Sequence, residues 1–200
     1  MLRATWALSA GLLIATWLAG PAAADPFTNG LAAANAHDYT SALQIWRPLA
    51  QEGSADAQNA LGVLYDNGMG VQRDHAAAAE WFFKAAQQGL ASGEYDLGVC
   101  YDHGSGVAKS ETIAAYWYRR AADQGAPAAQ LTLGSMYAAG RGLPKDPVQA
   151  YVWLTLATAR FGPASPEHQT AANASEQVAA TMTPDQMAQA QRLVSEWQPK

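Results

Sequence analysis

Cys100, Asp102 and His103 are the one place where this chain sets a nucleophile, an acid and a base close together. A thiol three residues from an imidazole has the residue types for acyl transfer, if the imidazole can take the thiol proton and a donor awaits the oxyanion. The trio also has metal-ligand types, but no further His or Cys stands near enough in sequence to complete a tetrahedral shell. Cys100 is the only cysteine, so an intrachain disulfide framework is excluded. His37, His75 and His168 fall near expected helix ends and read as solvated surface groups. The glycine pairs 68/70, 104/106 and 140/142 lack the Gly-Lys-Ser/Thr ending and the preceding strand of a phosphate loop. Lys and Arg number 12 against 17 Asp and Glu, a formal net charge of −5. Nucleic acid and anionic membrane are therefore poor partners, because a phosphate footprint needs a basic stripe.

The elements that must position these residues come from an internal repeat. Gly62, Gly98 and Gly134 are spaced by 36, as are Tyr65, Tyr101 and Tyr137, and Trp81, Trp117 and Trp153. The same step links Gly53, Gly89 and Gly125, both members of each glycine pair, and Ala85, Ala121 and Ala157. A period of this length is the mark of stacked helix pairs. In the first copy, helix A is expected from about Ser54 to Asn67, with Ala57, Leu61, Leu64 and Tyr65 along one side. Gly62 costs about 1 kcal/mol against alanine inside a helix, so its recurrence points to close approach of helix B. Asp74, Ser110 and Asp146 are N-cap residues for the three B helices. Cys100 shares its column with Leu64 and Met136 and so reads as a small core residue. The recurring Trp and Tyr columns read as packing. Tyr95, Tyr116, Tyr118 and Tyr151 lie off those columns and are the candidates for exposed contact, including with sugars.

The fold class is therefore all-α, an α-solenoid of stacked antiparallel helix pairs with a 36-residue period. Residues 25–50 form an N-terminal capping pair, 51–86, 87–122 and 123–158 the repeats, and 159–200 the C-terminal caps. Ser165-Pro166-Glu167 and Thr183-Pro184-Asp185-Gln186 open the last two helices. Residues 1–24 read as a signal peptide, with Arg3, the apolar run Trp6–Leu18 and the small-residue stretch Ala22–Ala24. That run is shorter than the ~20 residues of a spanning helix. Cleavage after Ala24 would give a protein in the periplasm, or a secreted one, with no stable membrane span.

The columns Ala-x-x-x-Leu-Gly-x-x-Tyr-x-x-Gly-x-Gly-Val over Ala57–Val71, then Ala78-x-x-Trp81-x-x-x-Ala85-Ala86, resemble Sel1-like repeats. The copies depart from one another at Gly93, Leu143 and Thr158. The likeness extends over about residues 27–197, and the flanks are similar to those of exported bacterial members. The resemblance implies an adaptor for other proteins in the cell envelope. A cysteine-rich branch of the family is linked to binding or hydrolysing β-lactams, but this chain lacks that branch's paired cysteines.

A groove on the A helices is the site these readings favour. With Leu61, Gly62 and Tyr65 facing helix B, the other side of the first A helix carries Asp56, Asn59, Val63, Asp66 and Asn67. The second copy places Tyr95, Val99, Asp102 and His103 there, with Ser92; the third places Leu131 and Ser135, with Ala128, Ala138 and Ala139. Acids at 56, 66 and 102 around Tyr95 fit a protein or peptide partner with a basic segment, and the third copy offers an apolar floor. The expected function is a scaffold without catalysis, cofactor or metal. A cell-wall or carbohydrate binder is the alternative, and an amide or β-lactam hydrolase using Cys100 and His103 a further one.

Overall fold

The computed structural model describes residues 25–200, so the expected signal at 1–24 lies outside the described residues. Among the described residues ten helices follow one another: α1 Pro26–Asn35, α2 Tyr39–Gln51, α3 Ala55–Asn67, α4 His75–Gln87, α5 Ala91–His103, α6 Glu111–Asp123, α7 Pro127–Ala139, α8 Pro147–Arg160, α9 Pro166–Ala179 and α10 Pro184–Glu196. Among the described residues there is no strand. Helices α1 to α8 each pack on the next in the chain, whereas α10 returns to lie on α8. The A helices α3, α5 and α7 alternate with the B helices α4, α6 and α8, and α3 also touches α5 as α7 touches α9. This is the all-α solenoid of helix pairs that the 36-residue spacing implies.

Local chemistry sets each boundary. The side chains of Asp74, Ser110 and Asp146 accept backbone N–H groups in the first turns of α4, α6 and α8. Each A helix ends on a left-handed glycine, Gly68, Gly104 or Gly140, whose N–H returns to the carbonyl of Leu64, Cys100 or Met136. The turn then closes when Asp74, Ser110 and Asp146 donate their N–H to the carbonyls of Tyr65, Tyr101 and Tyr137 at 2.9, 2.8 and 3.1 Å. The second glycine of each turn joins neighbouring repeats. A Cβ on Gly106 would run into the carbonyl of His75 at the start of α4, and one on Gly142 into that of Glu111 at the start of α6. Only a residue without a side chain lets those backbones meet.

Within a repeat, the mid-helix glycine sets the A–B distance. A Cβ on Gly98 would lie 2.7 Å from the ring of Tyr118, and one on Gly134 2.8 Å from Leu154. Gly62 is covered in the same way by Phe82. Tyr118, expected as an exposed contact, is thus a core residue at 2% exposure. It stands 36 residues from Phe82 and from Leu154, a column occupied by three different large side chains and so missed by matching identities. The tryptophans pack beside this column; Trp117 and Trp153 are buried and Trp81 is half-buried. The recurrent tyrosines 65, 101 and 137 are half-buried too.

Between repeats the core is partly polar. Gln58 donates to the carbonyl of Ala50 at 3.0 Å and Gln130 to that of Ala122 at 3.1 Å, both buried. The second repeat has Glu94 in this column, with no exposure. Its carboxylate meets Arg120 at 2.7 Å and accepts from Gln124 at 2.8 Å.

Candidate functional site

Three of the A helices present the side expected as a groove. On α3, Asp56 and Asn67 are exposed and Val63 is 38% exposed. Asn59 is half-buried, and its Oδ1 accepts no hydrogen bond. Asp66 is half-buried and accepts from Nδ1 of His75 at 2.7 Å. On α5, Tyr95 is half-buried and packs against Tyr118 at 5.5 Å between ring centroids, while Val99 is half-buried in the wall of the stripe. His103 is exposed, and its Nδ1–H donates to the carbonyl of Val99. On α7, Leu131 is half-buried, and exposed Ser135 donates to the Leu131 carbonyl at 2.9 Å.

Asp102 differs from the expectation that it faces an open groove. It is 8% exposed and binds Arg141, from the turn after α7, at 2.7 Å. An acid already paired inside the chain holds little attraction for an outside cation. The third A helix puts Ala138 at the equivalent position.

The remaining acids on this side of the A helices are Asp56, Asp66 beside His75, and a residue the repeat pattern did not single out, Asp96. Burial pushes the Asp96 carboxyl up to about 6, with the hydrogen bond from Asn59 opposing and the charge of Asp66 adding to the rise. Asp96 shares its column with Ala60 and Thr132, and a single acid in an otherwise small, uncharged column was the available signal. A cavity of about 140 Å³ opens here between α3 and α5, lined by Val63, Asp66, Asn67, Asp96 and Val99 among others.

The apolar end of the stripe opens into a cleft of about 370 Å³ between α7, α8 and α9. Its apolar lining includes Ala138, Leu154, Ala174 and Val178, with Ser135 and Lys145 also on its wall. That volume falls within the range of small-ligand and side-chain sites.

The nucleophile–base pair does not assemble. Cys100 is 3% exposed, and burial, with the charges of Asp66 and Asp96, pushes its thiol up to about 12. A thiolate, not a thiol, is the attacking species. His103 directs its Nδ1 to backbone, and no hydrogen bond joins it to Cys100 among the described residues. Among the described residues, no three His, Cys, Asp or Glu side chains cluster as metal ligands. None of the described helices is long and apolar enough to cross a membrane.

The Sel1 repeat model matches residues 55–90, 91–125 and 127–160, each beginning at the first residue of an A helix. The chain belongs to the Sel1 repeat family. It is similar to a Sel1 repeat protein from Oxalobacter formigenes at 33% identity and a TM-score of 0.65, covering 68% of this chain and 55% of that one. It is also similar to c5321, a protective antigen present in uropathogenic Escherichia coli strains that displays an SLR fold. There the identity is 28% and the TM-score 0.58, over 86% of this chain and 44% of that one. The chain thus spans about half the length of these two structures. No curated protein matches it. Sel1 repeats are typically scaffolds for protein–protein interaction.

Proposed function

We propose that the protein is an exported, non-catalytic scaffold that holds a protein or peptide segment along its A helices. The observation that carries the reading is the change in character along one stripe, from the acids of α3 and α5 to the apolar cleft beside α7. A segment with Lys or Arg near Asp56 and Asp66 and an apolar side chain in the cleft satisfies both ends. The buried, protonated Cys100 favours this reading over amide hydrolysis. The signal-like segment at 1–24 supports a periplasmic address.

The test is photocrosslinking in the intact envelope with a benzophenone amino acid at Asn67 or Ser135. The proposal expects one protein captured from both positions, and its yield reduced about tenfold by Asp56→Lys with Asp66→Lys. Equal capture by that double variant would reject the acidic half of the groove. No capture at either position would reject the scaffold.

A further inference from the structure

The opposite layer carries a second surface, found by comparing equivalent B helices. On α8 the outward side is covered: Val152 and Leu156 are 4% and 6% exposed, in one core with Ala190, Leu193, Val194 and Trp197 of the α10 region. Trp197 closes this contact edge-on to Trp153, with ring centroids 6.5 Å apart. The cover is an amphipathic helix whose apolar residues recur three and four apart, at Met187, Ala190, Val194 and Trp197.

One repeat earlier, the same surface is bare. Tyr116 stands in the column of Val152 and is 55% exposed, and Ile113, one turn before it on α6, is 41% exposed. Phe83 of α4, at 42%, lies on the other side of Trp117. Trp117 ties the patch together, 5.0 Å from the Tyr116 ring and 6.4 Å from Phe83, each edge to face. Of the five large apolar residues exposed among the described residues, these are three. Their grouping, rather than their exposure singly, marks the surface.

We infer that the patch formed by Phe83, Ile113 and Tyr116 over Trp117 docks an amphipathic helix of another protein, as α10 docks on α8. The argument is continuity with an interface the molecule already makes. The tryptophan column runs from Trp153, capped by the aromatic end of a helix, to Trp117, whose outer flanks are the exposed rings of Phe83 and Tyr116, with Arg120 over its face. Aromatic residues of this kind are the usual anchors of helix-in-surface recognition. The partner helix is therefore one with aliphatic or aromatic residues at three- and four-residue spacing and a polar outer side. The inference concerns B helices and stands whether or not the A-helix groove binds.

The probe is a peptide of residues 183–200, dye-labelled and held helical by a staple on its polar side, titrated into the full chain by fluorescence anisotropy. An isolated helix of this length is otherwise marginal in water. The expected result is saturable binding, lost by tenfold or more in Ile113→Ser with Tyr116→Ser, whose melting temperature stays near the parent's because both sites are exposed. A benzophenone amino acid carried by the peptide should crosslink to α6 at the patch. Failure of the peptide to bind, or equal binding by the double variant, overturns the inference. So does crosslinking that maps to α8, which means the peptide has displaced the chain's own α10. A parent chain that sediments as a dimer, and a variant that sediments as a monomer, would assign the patch to a second copy instead.

Discussion

At four equivalent places on their A helices, the second repeat carries Glu94, Asp96, Cys100 and Asp102 where the third carries Gln130, Thr132, Met136 and Ala138. The backbones are alike, with the same left-handed glycine at the end and the same loop closure. Yet the second repeat takes three acids into its interior or walls. Each has its own partner: Arg120 for Glu94 from within the repeat, Asn59 for Asp96 from the first, and Arg141 for Asp102 from the third. The third repeat joins the next helix through the apolar cleft beside α9. The solenoid frame thus accepts charge in its core columns, and what it then requires is a partner for every charge.

The largest expected effect comes from removing such a partner. Arg120→Ala leaves the Glu94 carboxylate enclosed with Gln124 as its remaining donor, and should cost roughly 3–5 kcal/mol, read by urea denaturation. Glu94→Gln should restore most of that loss in the Arg120→Ala background. It recreates the glutamine of the other repeats, whose amide donates to the carbonyl of Ala50 or Ala122, and Ala86 stands at the equivalent place. Additive effects of the two substitutions would show that the charges are not energetically joined.

Much of this architecture is legible in the sequence. The period, the caps at Asp74, Ser110 and Asp146, the tight A–B approach at Gly98 and the burial of Cys100 followed from residue type and spacing. What was hidden had one physical cause. A repeat pattern shows the columns where identity is kept, but packing needs volume rather than identity. Phe82, Tyr118 and Leu154 fill one site without resembling each other, so Tyr118 passed for a surface residue. The candidate groove is less legible than the fold, because pairing depends on contacts distant in sequence. Nothing local to Asp102 tells that Arg141 neutralises it, nor that Asp96 is enclosed by Asn59.

A smaller effect is expected where the second and third repeats share a device but differ in how firmly they hold it. A Cβ on Gly98 would meet the Tyr118 ring alone, whereas one on Gly134 would meet Leu154 Cγ at 2.8 Å and also its backbone nitrogen at 3.1 Å, which no rotamer moves. Gly134→Leu should cost about 1–3 kcal/mol through overpacking, and Gly98→Leu less. Thermal melting of the pair decides it. Equal melting temperatures would mean that the covering side chain, not the backbone, sets the limit.

The smallest effect depends on pH and isolates the enclosed acid that the third repeat replaces with Thr132. The Asp96 carboxyl ionises at about 6 in the folded chain against an ordinary value of 3.8. The folded state therefore binds the proton more tightly than the unfolded state does. Its contribution to stability is complete below the ordinary value and is lost as pH rises through the folded one. Asp96→Asn removes this titration and keeps a polar group opposite Asn59. Half-burial softens the penalty, so the variant should gain on the parent by about 1–2 kcal/mol between pH 4 and pH 7. Denaturation curves at the two pH values measure that difference directly, and the subtraction cancels the other carboxylates, including Glu94, whose burial acts in the same direction. Parallel curves for parent and variant would mean that water reaches Asp96 freely. The cavity between α3 and α5 would then be an open part of the groove, with Asp96 already charged for a basic partner.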